Sequence, residues 1–400
     1  MRRFVLILFI ILPFWLSGQK KQDTTVVYKN SVEQMLENDG KLQLGGYGEV
    51  HFNKPYFNDL YKASQLDVHR LVLFYGYNFS QHTQFVSEIE FEYAKELWIE
   101  QAFLQHRLNK YLNLRAGLLL IPMGIINETH EPVTFNGVER PVIDNKISLS
   151  TWREIGTGFW GSFLPFKIKY QIYMTGGLNG YDGKAVFNGA NPLRDGRQKG
   201  SKAYTYSPAL SSRIEYFGFK NLHTGISFYS GNSQSKLYSD LNKDSLRLKK
   251  TADSSVIGIR MIGADFRYFI KGFQLRGQFY FINLSNTDQY NTFRQSGNTF
   301  NNLGKQIIGY YLEAGYNVLR PFPDIEYSLI PFFRYEFYNL HHQVEKPVVA
   351  DKSLMNTILT AGISFRLNDH AIIKSDFQWI KPANVHFWQK YLNFGFGVTF

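Results

Sequence analysis

The chain has 400 residues, of which 17% are aromatic and only 19% are charged, and it contains no cysteine. The mean hydropathy of −0.26 excludes a bundle of membrane-spanning helices but suits a barrel, in which every second strand residue faces water. The formal net charge of +11 is not accompanied by a basic helix or a base-stacking motif, so we expect no nucleic-acid partner.

The N-terminus has the features of a secretory signal peptide over residues 1–18. Arg2 and Arg3 precede an apolar run over 4–16, and small residues follow that run. The run is shorter than the roughly 20 residues that a spanning helix needs, and an uncleaved anchor is the alternative. Residues 19–41 are polar, contain at most one short helix and are interpreted as a periplasmic leader.

From Leu42 onward, apolar and polar residues alternate with the period of two that predicts β-strands. The clearest case is 84–93. One face of this segment carries Phe85, Ser87, Ile89, Phe91 and Tyr93, and the other carries Gln84, Val86, Glu88, Glu90 and Glu92. Three carboxylates in a row cannot point into lipid or a dry core, so this face is expected to meet water inside a barrel.

Counting such segments predicts sixteen strands. Their approximate spans are 42–53, 66–79, 82–93, 96–107, 111–121, 153–163, 166–176, 207–217, 221–230, 256–269, 272–284, 306–319, 325–339, 354–367, 370–380 and 387–400. The connections after even-numbered strands are brief, whereas those after strands 5, 7, 9, 11 and 13 are long and polar, as is typical of outer-membrane barrels. We therefore expect an all-β fold, a 16-stranded antiparallel transmembrane β-barrel over 42–400. Closure would also stabilise an exported chain that has no disulfides.

The C-terminal strand agrees with this architecture. Apolar residues alternate with small or polar ones from Leu392 to the terminal Phe400. A terminal aromatic residue on an alternating last strand resembles the signal that the barrel-assembly machinery reads, so we expect that machinery as a partner.

Several short motifs resemble the phosphate-selective porin O and P family, especially its members from Bacteroidetes-like bacteria. The motifs are Gly46-Tyr47-Gly48-Glu49, Leu66-Asp67-Val68-His69-Arg70, Ser87-Glu88-Ile89-Glu90-Phe91-Glu92, Arg115-Ala116-Gly117, Ile121-Pro122-Met123-Gly124, Phe135-Asn136-Gly137-Val138-Glu139-Arg140-Pro141 and Trp152-Arg153-Glu154-Ile155-Gly156. The resemblance is best over 44–163. It implies a sixteen-stranded porin of the cell outer membrane that forms a homotrimer and whose third loop folds into the pore.

The candidate third loop, 122–152, is the sharpest functional feature of the sequence. It is irregular and carries both apolar and charged residues, so we expect it to line the inner wall as the pore constriction, with an outer flap as the alternative. The constriction residues would be Glu128, Glu131, Glu139 and Arg140. The family's phosphate-binding members use arginines and a lysine at the constriction, and we cannot align such a lysine with this loop.

Charged residues at inward parity predict the rest of the pore lining. These residues are Glu88, Glu90, Glu92, Arg115, Lys167, Lys169, Arg276 and Arg334. Acids cluster on the third strand and the loop, and bases are prominent on the seventh and eleventh strands. Opposed clusters would set a transverse field across the lumen, which favours polar solutes.

The sequence has no enzyme motif that we recognise: Gly-x-Ser-x-Gly, His-Glu-x-x-His and a phosphate-cradling loop are all missing. We therefore expect no enzyme, no cofactor and no metal, and interpret Glu128, His130, Glu131 and the pair His341-His342 as loop residues. The prediction is a passive diffusion channel for small polar or anionic solutes, with phosphate as one candidate. The alternatives are a barrel enzyme of lipase or protease type and a surface-binding barrel with a sealed lumen.

Two polar loops, 176–206 and 230–254, hold much of the basic excess. Their cations are suited to the phosphates of an anionic outer leaflet. Outer-membrane lipid and lipopolysaccharide are therefore expected partners.

Overall fold

Sixteen antiparallel strands form a closed barrel in the computed structural model, which describes residues 30–37, 40–56, 62–239, 241–242, 244–293 and 301–400. The predicted fold class and strand number are confirmed. In chain order the barrel strands are β1 Leu42–Tyr56, β2 Gln65–Asn78, β3 Thr83–Glu92, β4 Glu96–Asn109, β5 Leu112–Leu120, β6 Arg153–Phe163, β7 Ile168–Thr175, β8 Ala209–Phe219, β9 Leu222–Asn232, β10 Gly258–Ile270, β11 Phe273–Ser285, β12 Gln306–Tyr316, β13 Ser328–Gln343, β14 Met355–Arg366, β15 Ala371–Pro382 and β16 Gln389–Thr399.

The barrel closes where β1 pairs with β16, with Tyr47 opposite Thr399. The last residue completes this seam, because Phe400 and Gly46 exchange two backbone N–H···O bonds of 2.8 and 2.9 Å. No edge is left between the first and last strands, which is the condition for a sheet to cross a bilayer.

The outer face of the barrel carries a belt of exposed apolar side chains. The belt includes Leu73, Ile172, Ile214, Ile226, Leu312, Phe333, Ile363 and Phe396. Exposed aromatic residues such as Phe79, Phe163, Phe166 and Phe219 lie near the rim with the short turns, called the turn rim below. A closed barrel with such a belt and aromatic girdle is built to sit in lipid.

The opposite rim, called the loop rim, carries the long connections. Loop L3 is residues 121–152 and contains the short helix α2, Val142–Lys146. Two further helices, α3 Leu246–Asp253 and α4 Thr287–Thr292, lie in other loops, and Asn179–Tyr181 pairs in parallel with Gln234–Ser235. Within the described part of the chain, no helix has the length and apolar character needed to cross a membrane.

A β-bulge explains why the fourth strand fits neither parity in the sequence. Glu88 pairs with Gln101 and Ile89 pairs with Ile99, so Glu100 is an extra residue in β4. Both Glu100 and Gln101 are therefore buried on the inner side of the wall.

The N-terminal helix α1, Ser31–Glu37, lies inside the barrel. The predicted leader, 19–41, allowed one short helix in this stretch, and α1 packs on the inner wall because Val32, Met35 and Leu36 have an apolar cluster to join. The signal peptide and the rest of the leader up to residue 29 lie outside the described residues.

Candidate pore constriction

L3 leaves and rejoins the wall through a latch formed by one side chain. The Asn127 amide donates to the carbonyl oxygens of Ile121 (2.6 Å) and Trp152 (3.0 Å), and its oxygen accepts from the Trp152 N–H (2.8 Å). Ile121 N–H also donates to Trp152 O at 2.9 Å. Both ends of L3 are thus joined next to β5 and β6, and the rest of the loop is free to cross the lumen.

The backbone of L3 is held by inward side chains of the far wall. Arg276 of β11 donates to Thr134 O (2.8 Å), Ser364 of β14 to Asn136 O (2.6 Å), and Lys374 of β15 to Gly137 O (2.9 Å). The Asp376 carboxylate accepts from the Val138 N–H at 2.7 Å. Since these strands lie across the barrel from β5 and β6, L3 occupies the lumen along the β9–β16 side.

The α2 end of L3 combines apolar packing with a buried carboxylate. Ile143 and Ile147 are fully buried in a cluster that includes Met261, Tyr280, Ile307 and Tyr311 of the wall. The Asp144 carboxylate accepts from Tyr280 Oη (2.9 Å) and Gln278 Nε2 (3.0 Å). Burial raises the pKa of Asp144 to about 7, although these hydrogen bonds favour the charged form.

An ion-pair network lies beneath the middle of L3. Arg334, which is 0% exposed, contacts Glu313 (3.2 Å) and Glu336 (2.8 Å) and donates to Glu139 O (3.3 Å). Arg276 pairs with the same Glu313 at 2.8 Å. Arg276 and Arg334, predicted to line the pore, do point inward, but L3 covers them and they hold the loop.

Helix α1 occupies the opposite side of the lumen, against β1–β7. Asn30 Oδ1 caps its first turn by accepting from the Glu33 N–H at 2.8 Å. Val32, Met35 and Leu36 pack on a wall cluster made of Tyr47, Val72, Phe74, Val86, Phe103, Leu119 and Tyr173. Glu131 of L3 accepts from the N–H (3.1 Å) and the hydroxyl (2.8 Å) of Ser31, so L3 and α1 contact each other.

Two wide vestibules flank the level at which L3 and α1 meet. The turn-side vestibule has a volume of about 600 Å³ and is lined by residues such as His82, Arg107 and Lys169. The loop-side vestibule has about 410 Å³ and is lined by residues such as Arg70, Glu92 and Arg140. At mid-height the described residues leave crevices of about 10 Å³. Such a crevice has room for about one water molecule.

Charged groups of both signs line these crevices. Lys169 of β7 forms an ion pair with Glu33 of α1, and Glu128 of L3 accepts from Gln171 Nε2 at 2.6 Å. Arg213 of β8 binds Asp265 through two nitrogens (2.6 and 3.0 Å) and lies 3.8 Å from Glu128. Burial raises the pKa of Glu128, while the nearby Lys169 and Arg213 oppose the shift.

The four predicted constriction residues occupy different places. Glu128 lines the crevices, and Glu131 binds α1. Glu139 accepts from His51 Nδ1 and Asn53 Nδ2, each at 3.0 Å, in the loop-side vestibule. Arg140 lines the same vestibule and donates to His130 O at 3.1 Å.

The predicted lining residues are similarly divided. Glu90 and Glu92 line the loop-side vestibule, while Arg115 and Lys169 reach the crevices. Glu88 is buried against Gln101 and His130.

Lys167 is corrected. It has a left-handed backbone (φ 55°) in the turn before β7 and is exposed at the turn rim, so it does not line the constriction.

Sequence reasoning missed the latch residue Asn127 and the lumenal role of Glu33. Asn127 gave no signal, because its bonds are to backbone atoms far apart in the chain. For α1, the spacing of Val32, Met35 and Leu36 on one helical face was a usable signal.

One known protein is similar to this chain in sequence, and several solved structures are similar to it in fold. An uncharacterized protein of Aquifex aeolicus (strain VF5) is 32% identical over 348 residues, which are 84% of this chain and 75% of that protein. No model of a known protein family matches the chain.

Among solved structures, OmpF of Salmonella typhi in complex with daunomycin has a TM-score of 0.56 at 12% identity and covers 90% of this chain and 97% of its own. The outer membrane channel DcaP of Acinetobacter baumannii has a TM-score of 0.55 at 10% identity, with the same coverage. The anion-selective porin from Comamonas acidovorans has a TM-score of 0.51 at 10% identity and covers 90% and 99%. At these identities the likeness is one of fold. The chain therefore belongs to the family of the Aquifex aeolicus protein and has the 16-stranded barrel fold of the outer-membrane porins, in keeping with its lipid-facing belt and an outer-membrane location.

Proposed function

We propose that this protein is a passive outer-membrane channel for small polar solutes, with a weak preference for anions, and that it is not an enzyme. The observation that carries the proposal is the position of L3, which crosses the lumen between two water-accessible vestibules. A barrel of sixteen strands is wide enough for an aqueous channel, so a loop across the lumen is what sets the size limit.

The preference for anions is supported by the charges that line the turn-side vestibule and the crevices taken together. The turn-side vestibule and the crevices are together lined by six bases, Arg107, Lys110, Arg115, Lys169, Arg213 and Arg267. The same surfaces carry three acids, Glu33, Glu128 and Glu215. A net positive lining raises the local concentration of anions.

Phosphate specificity and membership of the porin O and P family stay hypotheses that rest on the sequence motifs. Lys146 of L3 donates to Ala190 O (3.3 Å) and to Asn191 Oδ1 (3.1 Å) in the neighbouring loop. It therefore does not supply the lysine of a phosphate site at the crevices. We expect phosphate to permeate no better than other small anions.

The test is the reversal potential of the purified channel in planar bilayers across a tenfold KCl gradient. The proposal predicts a potential of the sign that marks chloride as the more permeant ion. Because the Debye length is only ~8 Å at physiological ionic strength, the preference should grow as salt is lowered. A cation-selective potential would reject the anion preference.

The second candidate is a surface-binding barrel with a sealed lumen. It is favoured by α1, which occupies part of the lumen at the level of L3, where it contacts Lys169 and Glu131. This candidate predicts that no conductance step appears at any voltage, whereas the channel predicts discrete steps.

We also propose a homotrimer, as the motif resemblance implies. Mass measurement in a mild detergent tests this assembly separately from conductance. A single monomeric species would reject the trimer and leave the channel proposal standing.

A further inference from the structure

Three ionisable side chains converge in a buried pocket between L3 and the wall. Glu88 comes from β3, Glu100 from β4 and His130 from L3, and they are 1%, 0% and 3% exposed. Glu100 is the extra residue of the β4 bulge, and the bulge is what turns it inward beside Gln101.

The atoms that face one another are the ones that lack hydrogen bonds. His130 Nε2 lies 3.5 Å from Glu88 Oε1 and 3.2 Å from Glu100 Oε2. Within the described part of the chain, none of these three buried atoms makes a hydrogen bond of normal geometry. Buried polar atoms are seldom left with only such contacts to one another, and one shared ion would satisfy all three, since the three ligand atoms lie within 4.8 Å of one another.

The outer atoms of the same three groups are all bonded. Gln101 Nε2 donates to Glu88 Oε2 (2.7 Å), and Arg153 donates to Glu100 Oε1 (3.1 Å). His130 Nδ1 lies 3.2 Å from the Asn127 carbonyl oxygen, which can only accept, so Nδ1 carries a proton and Nε2 is the nitrogen that faces the two carboxylates. This is how metal-binding histidines and carboxylates are oriented by their neighbours.

We propose that Glu88, Glu100 and His130 form a binding site for one divalent transition-metal ion, with Zn²⁺ as the probe. Tetrahedral ligands at ~2.0–2.1 Å from zinc lie about 3.3 Å apart, which agrees with the two nitrogen–oxygen separations. The ion would displace the proton from His130 Nε2, and the two carboxylates would supply the negative charge beside it. Water or a neighbouring side chain completes the coordination, and the ion ties L3 to the β3–β4 wall beside the constriction.

A second cluster, His51, His69 and Glu139, is less suited to a metal. Both ring nitrogens of His51 already contact carboxylates, Glu139 at 3.0 Å and Glu49 at 3.3 Å. Its ring also stacks on that of His69, with centroids 4.3 Å apart. These contacts occupy the ligand atoms that a metal would need.

The test uses the full-length barrel purified in detergent, stripped with EDTA, dialysed against ZnCl₂ and assayed for metal content. The expected result is one zinc per chain, with binding weakened more than tenfold by E88Q or E100Q. Gln101→Leu should weaken binding by about 10–100-fold, as loss of an outer-shell partner does. The matched control is Glu92→Gln on the same strand and face, which should bind like the wild type.

His130→Cys gives a second readout that a purely structural role would not move. X-ray absorption spectroscopy at the zinc edge should show a new sulfur neighbour at about 2.3 Å in this variant and only nitrogen and oxygen at ~2.0–2.2 Å in the wild type. Heat-modifiable migration in gels identifies preparations that are folded. If the wild type takes up no zinc, the pocket holds a protonated His130 between two carboxylates and the proposal is overturned. Equal loss in E92Q and E88Q, or no sulfur neighbour in folded H130C, would overturn it as well.

Discussion

Truncation of Met35 should release helix α1 from the barrel wall. Met35 is 7% exposed and packs over Gly76 in the apolar cluster beneath the helix. Buried Met→Ala changes cost ~2–5 kcal/mol, and among the described residues the apolar packing of Val32, Met35 and Leu36 and a few polar bonds attach α1 to the wall. Most of this free-energy cost should therefore appear as weaker docking of α1 rather than as lower stability of the barrel. Even the lower value shifts it by about 30-fold toward the undocked helix.

The chain has no cysteine, so an introduced thiol reports on α1 alone. Val32→Cys places that thiol on the buried face of the helix, and its labelling rate measures how often the helix undocks. Adding M35A should raise the rate by about 30-fold or more and increase channel conductance. The control is Gln34→Ala, at the exposed position of the same helix, which should raise the rate far less than M35A does. If M35A and Q34A label at equal rates, the apolar cluster does not hold α1.

Four further predictions concern L3, the lumen and assembly. Gly124 has φ 72°, and a Cβ there would overlap the Tyr280 hydroxyl. Gly124→Val should therefore undock L3 and raise the single-channel conductance. A conductance equal to that of the wild type would show that the position of L3 does not depend on this contact. Lys169→Met should shift the reversal potential toward cations, more strongly at low salt, while Lys167→Met at the turn rim should not; equal shifts would reject our placement of the two lysines. Burial raises the pKa of Asp144 to about 7, so protonation of Asp144 stabilises docked L3 below pH 4, and this stabilisation is lost between about pH 4 and 7. Asp144→Asn should therefore remove this pH dependence from the rate at which a protease cleaves L3. A pH dependence that persists in the variant would implicate another group. Deleting 394–400 removes most of the strand that pairs with β1, so the chain should be degraded in the periplasm. A heat-modifiable barrel in the membrane would contradict the closure.

The barrel itself was predictable because a period of two records which face of each strand meets lipid. The predicted and observed strand ends agree within four residues, with the largest difference at Gln343, where 339 was predicted. The misfit of the fourth strand to either parity was also informative. The parity conflict around Glu100 and Gln101 was the signature of the bulge that turns both side chains inward.

The interior was less predictable because its contacts join residues far apart in sequence. The apolar and charged composition of L3 indicated an inward loop, but not that Arg276 and Arg334 would hold it from below. Lys167 has the parity of a lining residue, and its left-handed turn conformation places it at the rim instead. The sequence predicted at most one short helix before Leu42. The position of α1 on the wall depends on apolar residues of β1–β5 and β7, which no local pattern reveals.

The most direct test of the central claim is single-channel recording of the wild type beside a variant in which residues 128–146 of L3 are replaced by a short Gly-Ser linker. The latch residue Asn127 is kept so that both loop ends stay joined. If L3 sets the constriction, the wild type should show small discrete steps, and the variant should show steps several-fold larger with weaker ion selectivity. Equal step sizes in the two proteins, or no steps in either, would contradict the account.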